Sequence, residues 1–163
     1  MYTRPILSTI AAIVALAAIA GCATPSSPLS VADTIAAKPQ LSTLNGLIGQ
    51  TGLTETLKGT GPFTVFAPSN EAFAKVPSKT MDDLAKDPAK LKAVLTYHVV
   101  PGKVMAADVK NGNSKTVNGA NLALSKAGDF VTVEDAMVQT ADLSASNGVV
   151  HIVDSVLIPP AAR

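Results

Sequence analysis

The chain has 163 residues, with 13 Lys and Arg against 12 Asp and Glu, a single cysteine and no tryptophan. That length fits one domain and a short appendage, and a lone cysteine excludes an intrachain disulfide framework. A near-neutral chain without basic runs lacks the phosphate-neutralising surface of a nucleic-acid binder and the polybasic patch that attracts anionic lipid.

Residues 1–22 read MYTRPILSTIAAIVALAAIAGC: Arg4, an apolar run from Ile6 to Ala20, then Gly21-Cys22. A positive start, a short apolar stretch and small residues before a cut form the layout of a secretory signal peptide. A membrane-spanning helix needs about 20 apolar residues, and this run is shorter and interrupted by Ser8 and Thr9. Ile19-Ala20-Gly21-Cys22 resembles the lipobox of bacterial lipoproteins, which implies acylation of the Cys22 thiol and a lipid anchor in the membrane. Ala23, rather than Asp, after the cysteine resembles the pattern of lipoproteins sent to an outer membrane in a Gram-negative host. Ala23 to Ser30 (ATPSSPLS) is Ser/Pro-rich and reads as a tether; the tether is assigned to 23–29 and the folded domain to 30–160. Removing residues 1–22 deletes Arg4 and no acid, leaving 12 basic and 12 acidic residues.

From Val31 to Lys58, apolar residues recur at helical spacing (Val31, Ile35, then Leu41, Leu44, Leu47, Ile48). Pro39 starts a new helix, and Gly49, Gly52 and Gly59 bound it and a short helix over Leu53–Leu57. Pro62 to Ala67 switches to a period of two and predicts a buried strand. Asn70 is the expected N-cap of a short helix, with Glu71 favourable in its first turn. Thr80 and Asp83 predict a capping box, and Asp87-Pro88 places an N-cap before a proline at the first helical position. The helix from Pro88 carries Leu91, Val94, Leu95 and His98 on one face. Strands are expected at Lys115–Val117, Leu122–Ser125, Phe130–Val133, Met137–Ala141 and Val149–Val153, with Val156–Ile158 closing the chain. Asn118-Gly119, Ala127-Gly128-Asp129 and Asn147-Gly148 supply the turns. Helices first and strands later predict an α+β fold with a largely antiparallel sheet.

Three stretches carry a family resemblance. Phe63-Thr64-Val65-Phe66-Ala67-Pro68-Ser69-Asn70-Glu71-Ala72-Phe73 resembles the first signature block of fasciclin (FAS1) domains. Tyr97-His98-Val99-Val100-Pro101-Gly102 resembles their central tyrosine-histidine motif, and Asn147 to Pro159 (NGVVHIVDSVLIP) resembles the closing block. The order and spacing agree from about Leu29 to Pro159. The resemblance implies a wedge of antiparallel strands flanked by a bundle of α-helices. It also implies an extracellular or cell-surface role in adhesion and protein–protein contact, with a surface protein or polysaccharide as partner. Tyr97, His98, Val99 and Val100 are the binding residues it implies, and Thr64, Ser69, Asn70, His151 and Asp154 belong to its structural motifs. A single copy lacks the avidity that linked domains gain.

Read from its residues alone, His98 lies on an apolar helix face, where the helix dipole favours its charged form and burial opposes it. The competing readings are a core histidine with satisfied ring nitrogens and a surface contact residue. His151, with apolar neighbours on both strand faces, reads as a packed strand residue. Ser69, Ser155, both histidines and Asp154 supply the parts of a hydrolytic triad, but no Gly-x-Ser-x-Gly elbow is present, and no enzyme activity is expected. No metal or cofactor site is expected either. The two histidines lie far apart in the chain, Asp82-Asp83 suits a first helical turn, and Gly59-Thr60-Gly61 precedes a strand instead of opening a helix. The rival function is a ligand-binding surface protein that takes a lipid, pigment or glycan in an apolar groove, with the Met81/Leu84 helix and Val104-Met105 as the expected lining; a weak hydrolase is the third.

Overall fold

The structure is a computed structural model that describes residues 29–159; the expected signal peptide, Cys22 and most of the expected tether lie outside the described residues. Helices α1 (Val31–Ala36), α2 (Ser42–Gln50) and α3 (Leu53–Lys58) come first, with a 3-10 turn at Pro39–Leu41 between α1 and α2. Strand β1 (Phe63–Pro68) follows, then α4 (Asn70–Lys75), α5 (Ser78–Lys86) and α6 (Pro88–Tyr97). The rest is β: β2 (Val99–Pro101), β3 (Gly112–Lys115), β4 (Asn121–Ala127), β5 (Phe130–Val133), β6 (Ala136–Ala145) and β7 (Gly148–Val153).

The seven strands form one sheet in the order β2-β1-β7-β6-β5-β4-β3. All pairings are antiparallel except β1 with β7, which runs parallel from Phe63↔Gly148 to Pro68↔Val153. That parallel pair is central. It explains why Val149 to Val153 is a continuous apolar run broken only by His151, since a strand covered on both faces shows no polar alternation. The Val117 amide donates to the Val99 carbonyl (2.8 Å), so the segment after β3 meets β2 and the sheet curls back on itself.

Alternate residues of β1 and β7 serve two cores. Val65, Ala67, Val150 and Ile152 face the helices, packing with Val31, Ile35, Leu41, Leu44, Ile48, Leu91, Val94 and Leu95. Phe66 and Val153 face the other way, against Tyr97, Leu122, Leu124, Val131 and Val133 inside the curled sheet. The period of two in the side chains of a strand makes this double duty possible.

The helix starts hold two corrections. Ser69, not Asn70, caps α4: its hydroxyl accepts the Ala72 amide (3.2 Å) and Asn70 is the first helical residue. Thr80 caps nothing. Helix α5 begins at Ser78 behind Pro77, with no side-chain cap, and Thr80 lies within it. Asp87 caps α6 as expected, accepting from the Ala89 (3.0 Å) and Lys90 (3.2 Å) amides. Among the strands, β3 ends at Lys115, because Thr116 bends away and sends both its amide and its hydroxyl to the Ala120 carbonyl. Val156–Ile158 forms no strand; the Leu157 amide is taken by a side chain described below.

Candidate functional site

Tyr97, His98, Val99 and Val100 occupy the junction of α6 and β2. Helix α6 ends at His98, whose amide reaches the Val94 (3.3 Å) and Leu95 (3.2 Å) carbonyls, and two β-branched residues then carry the backbone into extended geometry. All four side chains are buried. The Tyr97 ring is fully enclosed; its hydroxyl donates to the Glu134 carboxylate (2.6 Å) and lies 3.0 Å from the Asn121 carbonyl. His98 Nε2 accepts the Leu157 amide (3.0 Å), so the ring proton sits on Nδ1 and is donated to the Val94 carbonyl (2.7 Å). Burial pushes the His98 pKa down to about 4, against the opposing pull of the Val94 carbonyl. Desolvation outweighs the helix dipole, and the imidazole is neutral near pH 7. The family motif thus ties α6 and β2 to β4, to the turn after β5 and to the closing segment. A side chain this enclosed shapes a surface through the backbone it holds.

His151 behaves alike. Its Nδ1 accepts the Asp142 amide (3.2 Å), its Nε2–H meets the Val104 carbonyl (2.8 Å), and its ring stacks on Phe66 at 5.4 Å. Burial lowers its pKa, with the Val104 carbonyl and the Asp142 charge opposing. With both ring nitrogens of both histidines engaged, neither offers a free base to a neighbouring hydroxyl.

The remaining motif residues fasten elements together. Thr64 donates to the Gly102 carbonyl (2.7 Å) and accepts the Val104 amide (2.9 Å), fixing the loop after β2 to β1. Asn70 reaches back to the start of α2, donating to the Pro39 carbonyl (3.1 Å) and accepting the Thr43 amide (3.1 Å). Asp154 accepts the Met137 amide (2.8 Å) and pairs with Lys75 (3.4 Å); that amide first, then Lys75, hold its carboxyl below the usual range against partial burial.

Three further residues carry the same kind of work, which the sequence does not assign to them. Asn147 accepts the Val31 amide (2.8 Å) and donates to the Leu57 (2.7 Å) and Gly59 carbonyls (2.8 Å). Asp142, in left-handed backbone at φ 59° inside the irregular part of β6, accepts the Ala106 amide (2.7 Å). Glu134, at φ 54°, receives the Tyr97 hydroxyl. In the sequence Asn147 opens the closing block and reads as the first half of an Asn-Gly turn, with nothing to mark its three long-range bonds.

The apolar groove falls elsewhere than expected. Met81, Leu84, Val104 and Met105 do not line it. A narrow crevice opens between α2, α3, β1 and the end of α6, bounded by Leu44, Leu53, Leu57, Phe63, Leu95 and Val99, with a volume of about 30 Å³. The expected lining fails because Leu84 is itself packed into the helical core. Among the described residues, no group of three or more His, Cys, Asp and Glu converges as a metal site would require.

Among the described residues, a seven-stranded curled sheet braced by six helices, with its tyrosine-histidine motif turned inward, defines a FAS1-type domain. The fasciclin domain family model matches residues 39–159, and the chain belongs to that family. It is 40% identical over 145 residues to protein sll1483 of Synechocystis sp., covering 88% of this chain and 81% of that protein. It is 37% identical over 136 residues to the cell surface glycolipoprotein MPB83 of Mycobacterium bovis, covering 80% of this chain and 61% of that one. The fold matches a FAS1 domain pair from the insect cell adhesion molecule fasciclin I with a TM-score of 0.73 at 16% identity, over 82% of this chain and 52% of that chain.

Proposed function

We propose that this protein is a lipid-anchored surface module for adhesion or protein–protein contact, and that it works by binding, not by catalysis. Family membership carries this reading: the fasciclin family includes a cell surface glycolipoprotein that aligns with 80% of the chain, and a cell adhesion molecule shares the fold. The geometry supports it. The side chains with reactive potential, Tyr97, His98 and His151, are held in internal hydrogen bonds, which makes a rigid body suited to presenting surface loops. The alternative of a small-ligand carrier rests on the crevice between α2, α3 and β1. Its volume, about 30 Å³, is that of roughly one water site, so a lipid or pigment would have to force the helices apart.

Fluorescently labelled protein titrated onto intact cells and extracellular matrix of its own source tests the reading. Saturable retention, displaced by unlabelled protein, is expected; purely linear uptake overturns it. The anchor is tested separately in the producing cell. Cys22→Ala is expected to abolish fatty-acid labelling and release the protein from the membrane fraction, and labelling that persists in the variant refutes acylation at Cys22.

A further inference from the structure

A second cleft is much larger than the apolar crevice. It is an open concavity of about 550 Å³, within the roughly 300–1,000 Å³ usual for small-molecule sites, formed where the loop between α3 and β1 meets the β6–β7 hairpin. Its lining includes Lys58, Thr60, Pro62, Lys103, Ser146 and Asn147, two lysines and no acidic residue. Asp33, outside the lining, lies 3.9 Å from the Lys58 ammonium, so the residues that line the cleft carry positive charge alone.

The floor of the cleft is fixed from below. Asn147 holds the Gly59 carbonyl from its side chain (2.8 Å) and the Phe63 amide from its own carbonyl (3.0 Å), while the Gly102 amide grips Pro62 (2.9 Å). At Gly61 and Gly148 the two loops approach so closely that a Cβ would overlap the Asn147 and Phe63 carbonyl oxygens respectively. A floor built this way loses little entropy on binding. The cations are available: Lys103 is exposed and makes no ion pair among the described residues, and Lys58 has only a loose contact with Asp33, 3.9 Å apart and about half exposed on both sides.

We propose that this cleft binds an acidic polysaccharide chain, with Lys58 and Lys103 pairing with its carboxylate or sulfate groups and the Thr60 and Ser146 hydroxyls meeting its ring hydroxyls. The proposal rests on the surface-binding reading and names the partner class. A peptide partner is disfavoured because the cleft has no large aliphatic or aromatic pocket of the kind that anchors protein interfaces. A flat bilayer surface is disfavoured because it does not enter a concave site. The Ser146 amide donates to the Leu29 carbonyl (2.8 Å), so the first described residue lies beside this cleft.

The test is calorimetric titration of the full chain with hexagalacturonate and with a sulfated dextran oligomer. Each is compared with an uncharged counterpart, the methyl-esterified hexamer and plain dextran. Saturable binding of at least one acidic oligomer is expected. It should weaken roughly tenfold or more on loss of the ligand charge, in Lys103→Gln and in Lys58→Gln, and with rising salt. Lys110→Gln, which lines a different cleft, should bind like wild type. All three lysines are exposed, and unchanged thermal unfolding of the variants shows that the loss is not misfolding. Equal binding by wild type and both cleft variants overturns the proposal, as does binding only to polyglutamate or only to phosphatidylglycerol vesicles. Retention on cells without any acidic-sugar binding sinks this inference and leaves adhesion standing; loss of both sinks both.

Discussion

His98 Nε2 receives the backbone amide of Leu157 at 3.0 Å, a bond that spans 59 positions of sequence. It joins the end of the last long helix to the segment that closes the domain, and it exists only while the imidazole is neutral. A proton on Nε2 would face the amide hydrogen of Leu157.

Acid should therefore loosen the fold through this residue. Unfolded, the histidine takes a proton near pH 6.5; folded, it does so only at about 4. The stabilisation is complete above pH 6.5, declines as the pH falls between the two values, and levels off below about 4 with about 3 kcal/mol lost. Urea midpoints at pH 7, 5.5 and 4 should show this decline. His98→Leu should be less stable at pH 7 by about 2–3 kcal/mol, from the two buried backbone partners it abandons. It should also show a flatter pH dependence, with the remaining slope due to His151 and, toward pH 4, to the lowered carboxyl of Asp154. Parallel slopes for the two proteins would exclude His98 as the source.

Asn147 should be among the most sensitive polar residues. Its amide closes three bonds, to Val31, Leu57 and Gly59, that tie α1, α3 and the loop before β1 to the β6–β7 hairpin. Asn147→Asp keeps the acceptor and loses both donors, setting a carboxylate against two carbonyls. A loss of about 2–4 kcal/mol is expected in chemical denaturation. Faster hydrogen exchange at the Val31 amide is expected in Asn147→Ala and not in Asn147→Asp.

Two glycine substitutions should move in opposite directions. Gly148→Ala puts a methyl group against the Phe63 carbonyl in the central parallel pair, where neither strand can shift without disturbing both cores. A loss of about 3 kcal/mol or more in unfolding free energy is expected. Gly46 lies on the exposed face of α2 with nothing within 4 Å of a new Cβ. Gly46→Ala should gain about 0.5–1 kcal/mol from helix propensity. A destabilised Gly46→Ala would mean that α2 is not helical at that position.

Ser69 and Asn70 are neighbours with separable duties. Ser69→Ala removes the cap of α4 and should cost about 1 kcal/mol. Asn70→Ala should cost a similar amount, about 1 kcal/mol, by releasing the start of α2. Amide exchange separates them: the Thr43 amide, bonded to Asn70, should lose protection only in Asn70→Ala, and the Ala72 amide, bonded to Ser69, only in Ser69→Ala. The reverse pattern would restore Asn70 as the cap.

The sequence by itself determined the elements whose signal is local. Apolar spacing and Asp87-Pro88 placed α6, runs of β-branched residues placed β5 and β7, and Asn118-Gly119 and Ala127-Gly128-Asp129 placed two hairpin turns. Three ordered motifs identified the family. The tertiary structure alone decided which of two adjacent polar residues, Ser69 or Asn70, capped α4, because both suit an N-cap and the choice depends on Asn70 finding α2 some 27 positions away. It alone showed that Val156–Ile158 is no strand, since its Leu157 amide is claimed by His98. It alone turned Asn147 from a turn residue into a three-way clasp, and brought Lys58 and Lys103 to one cleft. Periodicity and capping depend on neighbours a few residues apart and are written in the chain. Long-range hydrogen bonds and shared clefts depend on how the sheet curls, which no local pattern records.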